Sequence, residues 1–373
     1  MPHPPIIEDF LDLVKLSANS LKERAIADEL RARLTALGLS VEEDDAGARI
    51  GGEAGNLIAR LPGEPGRPVI LFSAHMDRVK NHGHIRPIVD EARGLITSDA
   101  TSILGADDVA GLAAILDGIR RVRAAGRPHG EVEVVLSVAE EIGLQGTRHL
   151  DYSRLKAKAA FVLDCGGGLG LIVNQAPTQY RFLITVHGRS AHAGIAPEDG
   201  LSAIRMAATA LTRIPEGRLS PASTSNFGMI QAGQATNIVC ELCEIKGEAR
   251  STDPGELEAY IEKVRRVFEE TAQEMGGGAE MEAALEYKTF RIPEDHPAIG
   301  LAKRAMNNLG LAARVSPSGG GMDANHFNQH GLTAVGLAPG FDHAHTTREE
   351  QSMAQLVDSG RLVAEIIWTA ALD

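Results

Sequence analysis

Histidines and acids able to bind metal or move a proton recur in short local patterns along the chain: His75-Met76-Asp77, Asp107-Asp108, Glu140-Glu141, Asp164 and His345. His75 and Asp77 close the apolar run Val69 to Ala74, and residues two apart on a strand project to the same side. That spacing suits His75 as a metal ligand and Asp77 as the carboxylate that takes the other ring N–H and sets the tautomer. Asp107 and Asp108 stand just ahead of a helical stretch, whose N-terminus favours anions; only one of the two need touch metal. Glu140 and Glu141 end a strand running from Val132 to Ala139, where successive side chains diverge, so one can bind metal while the other faces a substrate. Asp164 ends a further apolar strand, Ala159 to Leu163, and opens onto the glycines that follow Cys165. Histidine nitrogens with hard carboxylate oxygens and no thiolate set favour zinc, cobalt or manganese. Brought together, these groups form the ligand set of a two-metal hydrolase.

The elements needed to bring them together are legible as well. Each acid follows a strand end or a turn, which is where open α/β sheets place their sites. A helical stretch from Pro5 to Leu37, a strand reaching Asp77, a helix from Asp108 to Ala125 and a strand leading to Glu140 alternate as in a mainly parallel, helix-covered sheet. From about Gln175 the pattern changes. Strand Tyr180 to Val186, helix Glu198 to Ile214, strands Ser225 to Ala232 and Asn237 to Ser251, helix Pro254 to Met275 and strand Glu280 to Tyr287 make a β-α-β-β-α-β, ferredoxin-like α+β unit. The α/β pattern then resumes with helix His296 to Leu309, strand Leu332 to Ala338 and a helix from about Glu350 to Ala371. The expected organisation is a catalytic domain of residues 1–174 and 291–373 interrupted by an inserted lid or dimerisation domain, 175–290.

At 373 residues and 43% hydrophobic content the chain can fill two cores. A net charge of -13 argues against nucleic acid or an anionic membrane as partner, and leaves short peptides open. The first residues lack a basic segment followed by an apolar core, and no apolar run reaches spanning length, so a soluble cytoplasmic protein is expected. Three cysteines make no disulfide framework. Cys240 and Cys243 fall in an alternating run, Ile238 to Ile245, on opposite faces, which disfavours a zinc or redox pair. His82 and His84 read as loop residues.

The strings Ser73 to Asp77, Leu104 to Asp108, Glu140 to Gly143 and His192-Ala193-Gly194 resemble, nearly end to end, the dizinc exopeptidase family that includes peptidase T, carboxypeptidase G and aminoacylase. Within it, the stretch Ile103 to Gly111 and His129-Gly130 are most similar to peptidase T, an aminotripeptidase. The resemblance implies two divalent metal ions per subunit, zinc foremost: Asp107 bridges them, His75 and Asp164 complete one site, and Glu141 and His345 complete the other. His343 competes for the last place, but the family pattern of a histidine followed four residues later by glutamate selects His345 with Glu349. The resemblance also implies Glu140 as general base and a cis peptide after Asp107. In the inserted domain it implies His192 and Asn237 at the substrate carbonyl or tetrahedral oxyanion. Arg250 would grip a substrate carboxylate, a bidentate task that suits guanidinium. Gly320, in the segment Ser318 to Asn325, would let backbone approach the substrate. A family histidine that reaches across from a partner implies a homodimer through the inserted domain. One departure is Val109, where many relatives carry lysine; no ligand is lost by it. The implied activity is release of the N-terminal residue from short peptides, tripeptides above all. A carboxypeptidase or N-acyl amino acid deacylase on the same scaffold is the alternative. A noncatalytic peptide-binding protein is disfavoured by the presence of Glu140 and every expected ligand.

Overall fold

The computed structural model describes residues 3–80 and 84–372; His82 lies outside them. The chain forms two compact units, Met1–Ala176 with Phe290–Asp373, and Pro177–Thr289. The divisions fall at 176/177 and 289/290, where 174/175 and 290/291 were expected. The reason is that the chain leaves and re-enters the first unit through adjacent antiparallel strands, Phe290–Arg291 pairing with Gln175 and Ala176.

In the first unit, strands Val132–Ser137, Ile70–His75, Ala159–Val162 and Thr333–Leu337 lie side by side and parallel. Antiparallel strands extend this centre on both sides, Leu57–Leu61 and Ser40–Glu43 at one edge and Leu171–Ala176 at the other. The sheet is therefore mixed, with a parallel middle. Every residue of Ile70–His75 and Val132–Ser137 is buried, as expected of parallel strands covered by helices. Phe72, Ala74, Val134 and Leu136 pack into one core with Phe10, Leu30, Ile115 and Val363, while Leu71, Val135 and Val162 pack into another with Phe327. That alternation is the strand period distributing apolar side chains to both faces.

Several boundaries differ from the sequence expectation. The helical stretch Pro5 to Leu37 is two helices, Pro5–Leu13 and Arg24–Ala36. The residues between them bond to the chain beyond the central strand instead, with Arg78 N–H donating to Ala18 O at 2.8 Å and Ser20 N–H to Arg78 O at 3.3 Å. The strand expected to reach Asp77 ends at His75. A small antiparallel sheet of Phe341–Asp342, Glu350–Ser352, Leu95–Thr97 and Ile88–Asp90 was not foreseen, because strands this short carry no readable periodicity. Glu350–Ser352 belongs to it, so the last helix is Met353–Ala370, capped by Ser352 Oγ accepting from Gln355 N–H.

The second unit is an antiparallel sheet in the order Gly217–Arg218, Ser223–Ala232, Leu242–Ser251, Thr178–His187, Gly278–Tyr287, with helices Ala203–Leu211 and Pro254–Glu274. Its four long strands have the ferredoxin-like order. The longer helix starts at Asp253, whose carboxylate accepts from the N–H groups of Gly255 and Glu256, with Pro254 in the first turn. The helix expected from Glu198 to Ile214 is shorter and follows a turn at Pro197–Asp199. The strand expected from Asn237 begins at Leu242, so Cys240 precedes it while Cys243 lies in the core. No helix among the described residues is long and apolar enough to cross a membrane.

Helix Ala106–Ala125 packs on Met353–Ala370, and a Cβ on Gly118 would lie 2.3 Å from Val363 Cγ1. Gly118→Ala raises helix propensity, yet overpacking is expected to cost about 1–3 kcal/mol and lower the thermal midpoint. An unchanged or higher midpoint by calorimetry would show that the contact relaxes freely.

Candidate metal centre

Three neighbouring parallel strands end at the centre. His75 is the last residue of its strand, Glu140 and Glu141 sit in the turn after Val132–Ser137, and Asp164 follows Ala159–Val162. Asp107 heads the helix Ala106–Ala125, where Asp107 and Asp108 have non-helical backbone angles and the peptide between them is cis. His345 comes from the small sheet, in the connection between Phe341–Asp342 and Glu350–Ser352.

Asp107 is the hub. Its Oδ1 lies 3.1 Å from His75 Nε2 and its Oδ2 lies 3.2 Å from His345 Nε2. His345 Nε2 is also 3.0 Å from Glu141 Oε1, and His75 Nε2 is 3.7 Å from Asp164 Oδ1. Ligand atoms of His75, Asp107 and Glu141 lie within 4.8 Å of one another, as do those of His75, Glu140 and Asp164, and those of Asp107, Asp108 and Asp164. Of the two candidate histidines, His345 is the one whose ring meets Asp107 and Glu141.

A second set of buried carboxylates holds the main chain that carries these groups. Asp77 does not orient His75 through its carboxylate, which is 3.6 Å from Nδ1; the main-chain carbonyl of Asp77 is at 2.8 Å. The strand ends at His75, so the chain turns and presents this carbonyl. With Nδ1–H donated there, Nε2 offers its lone pair to the centre. The Asp77 carboxylate instead accepts from Glu140 N–H at 2.9 Å, Glu141 N–H at 3.3 Å and Ser20 Oγ–H at 2.6 Å. Glu349 accepts from Gly105 N–H at 2.7 Å and Asp107 N–H at 3.0 Å. Asp108 accepts from His75 N–H and Gly111 N–H, both at 3.1 Å.

Residues 56–180, which carry His75, Asp107, Glu140, Glu141 and Asp164, match the model of peptidase family M28, and residues 180–276 match an M20 model described as a peptidase dimerisation domain. The crystal structure of an aminopeptidase PepT from Bacillus cereus ATCC 10987 is 40% identical, covers 98% of each chain and superposes with a TM-score of 0.86. A tripeptidase from Staphylococcus aureus subsp. aureus Mu50 is 36% identical over 99% of this chain and 98% of its own, with a TM-score of 0.92. The chain belongs to the M20 family of metallopeptidases and is peptidase T-like. The M28 match is confined to part of the first unit, whereas these relatives span both. Bacillus subtilis (strain 168) has an uncharacterized protein, YqjE, 38% identical over 98% of both chains.

The electrostatics of the peptidase centre follow from its crowding. Burial and the Asp164 charge push Glu140 well above the ordinary carboxylate range, and burial with Asp107 and Asp323 pushes Asp164 up to about 7 despite His75. Burial disfavours the His75 cation, but Asp164 and Asp107 outweigh it and raise its pKa well above the usual value. Hydrogen bonds to Asp107 and Glu141 raise His345 to about 10. Carboxylates outnumber imidazoles, so the cluster is short of positive charge, which divalent cations would supply. The donors fit zinc, cobalt or manganese, all nitrogen and oxygen. Cys165 is no competing thiolate: burial and Asp164 push its pKa well up, and its Sγ lies against Met322 Sδ at 4.0 Å.

In the inserted unit, the backbone brings His192 and Asn237 together, with Ala193 N–H donating to Asn237 O at 2.9 Å and Val239 N–H to Ala191 O at 3.0 Å. Both side chains are exposed. Arg250 is held bidentately by Glu248 on the same strand face, Nε to Oε1 at 2.9 Å and Nη2 to Oε2 at 3.1 Å. Gly320 is half-buried in the first unit, its N–H bonded to Ser318 Oγ at 3.0 Å. Sequence reasoning did not single out Asp323, buried against Ser137 Oγ and, at 2.6 Å, Thr147 Oγ1. Nor did it single out Arg78, whose guanidinium is buried on the carbonyls of Val14 and Leu16. An isolated acid or base gives no local signal of this kind.

A Cβ on Gly111 would lie 2.5 Å from both Asp108 Oδ1 and Leu163 O. Gly111→Ala is expected to displace Asp108 from the His75 amide and weaken metal binding about 10–100-fold, read by calorimetric titration with zinc. Wild-type affinity in that variant would mean that Asp108 does not position His75.

Proposed function

We propose that this peptidase hydrolyses short peptides and releases the N-terminal residue of tripeptides, using two divalent metal ions, zinc foremost with cobalt or manganese as alternatives. The carrying observation is Asp107, with one oxygen against each of two imidazoles. His75 and Asp164 would hold one ion, His345 and Glu141 the other, and Asp107 both. The aminopeptidase and tripeptidase named above support the reaction class. Two such ions, when bound, acidify water to near-neutral pH and polarise the scissile carbonyl.

Glu140 is the general base. It takes a proton from the attacking water as the C–O bond forms and gives it to the departing amine as the C–N bond breaks. Divalent cations beside Glu140 would favour the ionised carboxylate that the first transfer needs. Asp77 fixes its main-chain N–H. His192 and Asn237 hold the carbonyl oxygen or oxyanion, and the backbone at Gly320 approaches the peptide. Arg250 exchanges Glu248 for the substrate carboxylate and so gauges peptide length.

The protein is proposed to act as a homodimer through its inserted unit, in the cytoplasm. Strand Ser223–Ala232 is an edge beyond its short pairing with Gly217–Arg218, and it exposes Met229 and Ile230. Ile204 is exposed on the neighbouring helix. An unpaired apolar edge is a surface that a second copy would cover, and the match to a dimerisation domain over 180–276 supports it.

Mass spectrometry of a free tripeptide and its N-acetylated twin tests the reaction. Release of the free peptide's N-terminal residue alone is expected; loss of the C-terminal residue or of the acyl group would move the protein to carboxypeptidase or deacylase chemistry. Glu140→Ala should keep its metal and lose about 100- to 10,000-fold in kcat, and retained turnover would exclude it as the base. Met229→Asp combined with Ile230→Asp should yield monomers by light scattering, whereas persistent dimers would place the interface elsewhere.

A further inference from the structure

Four consecutive main-chain N–H groups around Glu140 are held by side chains from distant segments. Val138 donates to Asn56 Oδ1 at 3.1 Å, Ala139 to Glu23 Oε1 at 3.1 Å, and Glu140 and Glu141 to the two oxygens of Asp77 at 2.9 and 3.3 Å. Ala139 has φ 52°, in the left-handed region that a residue with a Cβ avoids. The turn that aims the two glutamates is therefore not one its own sequence prefers, and it persists because partners hold it.

Glu23 is the partner that holds the amide of the left-handed residue itself. Its Oε1 also accepts from Leu21 N–H at 2.8 Å, and Leu21 too has a left-handed φ of 70°. The residue precedes helix Arg24–Ala36, yet its side chain makes no capping bond to that helix. It is fully buried, and its Oε2 has no hydrogen-bond partner among the described residues. Burial, with the charge of Asp77, raises its pKa to about 7. A buried acid with one unpaired oxygen beside another acid costs stability relative to an apolar side chain. Its use lies in the amides it holds.

We infer that Glu23 is a positioning residue for the catalytic turn: its Oε1 holds the Ala139 N–H and thereby aims Glu140 and Glu141 into the metal centre. The inference rests on the proposed role of Glu140 as general base. It is distinct from the Asp77 contacts, which act on the next two amides.

The test compares the full-length zinc-loaded wild type with Glu23→Ala and Glu23→Gln. Glutamine keeps an acceptor oxygen at the same reach, loses the charge and puts an NH2 where the unpaired oxygen stands. Hydrogen exchange by mass spectrometry over residues 138–141 reads the turn directly, and kcat and KM on a free tripeptide read its consequence. In Glu23→Ala the turn should exchange faster while strand Leu242–Ser251 is unchanged. Its kcat should fall about 10–100-fold at nearly constant KM and unchanged metal content. Glu23→Gln should restore both exchange and kcat. Unchanged exchange at 138–141 in Glu23→Ala overturns the inference, and so does a kcat loss that glutamine fails to rescue. If the alanine variant does not fold, Glu23→Asp, which withdraws the acceptor by one methylene, takes its place with the same expected results. If the wild type cleaves no peptide, the proposed reaction fails, and the exchange comparison still decides whether Glu23 holds the turn.

Discussion

Mutual repulsion among carboxylates gathered at the ends of three parallel strands is the constraint around which the first unit is built. Asp107, Asp164, Glu140 and Glu141 converge on two imidazoles, and burial raises the pKa of all but Asp107, which its two histidine contacts hold below the ordinary range. Water cannot screen such a cluster, so its geometry has to be imposed from outside. The structure imposes it with a second layer of acids, Asp77, Asp108 and Glu349, whose oxygens accept main-chain N–H groups at the turns that carry the cluster. A carboxylate receiving two amides is a directional clamp on the backbone that carries the clustered side chains.

The clamps work because they stand on rigid elements. The two central strands are buried along their whole length, and the helix that begins with the Asp107 turn packs closely enough on its neighbour to require glycine at position 118. His345 and Glu349 reach the centre from far along the chain through the small antiparallel sheet, which joins the segment after Phe341 to strands Leu95–Thr97 and Ile88–Asp90. That sheet is short, yet it delivers both the imidazole on one Asp107 oxygen and the carboxylate on the Asp107 amide. The inserted unit has a core of its own. Backbone pairing sets His192 beside Asn237, while Glu248 keeps Arg250 compensated.

Much of this was legible beforehand. Residue type and local strings marked His75, the pairs Asp107-Asp108 and Glu140-Glu141, Asp164 and His345 as candidates, the family resemblance chose among them, and the fold brings Asp107, Glu141 and His345 together. The alternation of helices and strands, and the β-α-β-β-α-β stretch, indicated a helix-covered sheet and a ferredoxin-like insertion because hydrophobic period reports local conformation. The split of Pro5 to Leu37 into two helices was hidden, since the intervening residues bond to Arg78 rather than to their own neighbours. The target of the Asp77 carboxylate was hidden too. Strand periodicity places its side chain relative to His75, but the strand stops at His75 and the carboxylate turns to Glu140 and Glu141.

Which residues could bind metal and move protons follows from the sequence, because that depends on side-chain chemistry and on spacing within a few residues. The fold class follows from the sequence as well, through patterns that each segment carries alone. Folding alone sets which oxygen of Asp107 meets which imidazole, which amides Asp77, Glu349 and Glu23 hold, and that Arg250 faces Glu248. Those contacts join positions far apart in the chain or turn on side-chain direction, and hydrogen-bond geometry is sensitive to tenths of an ångström that only packing can set.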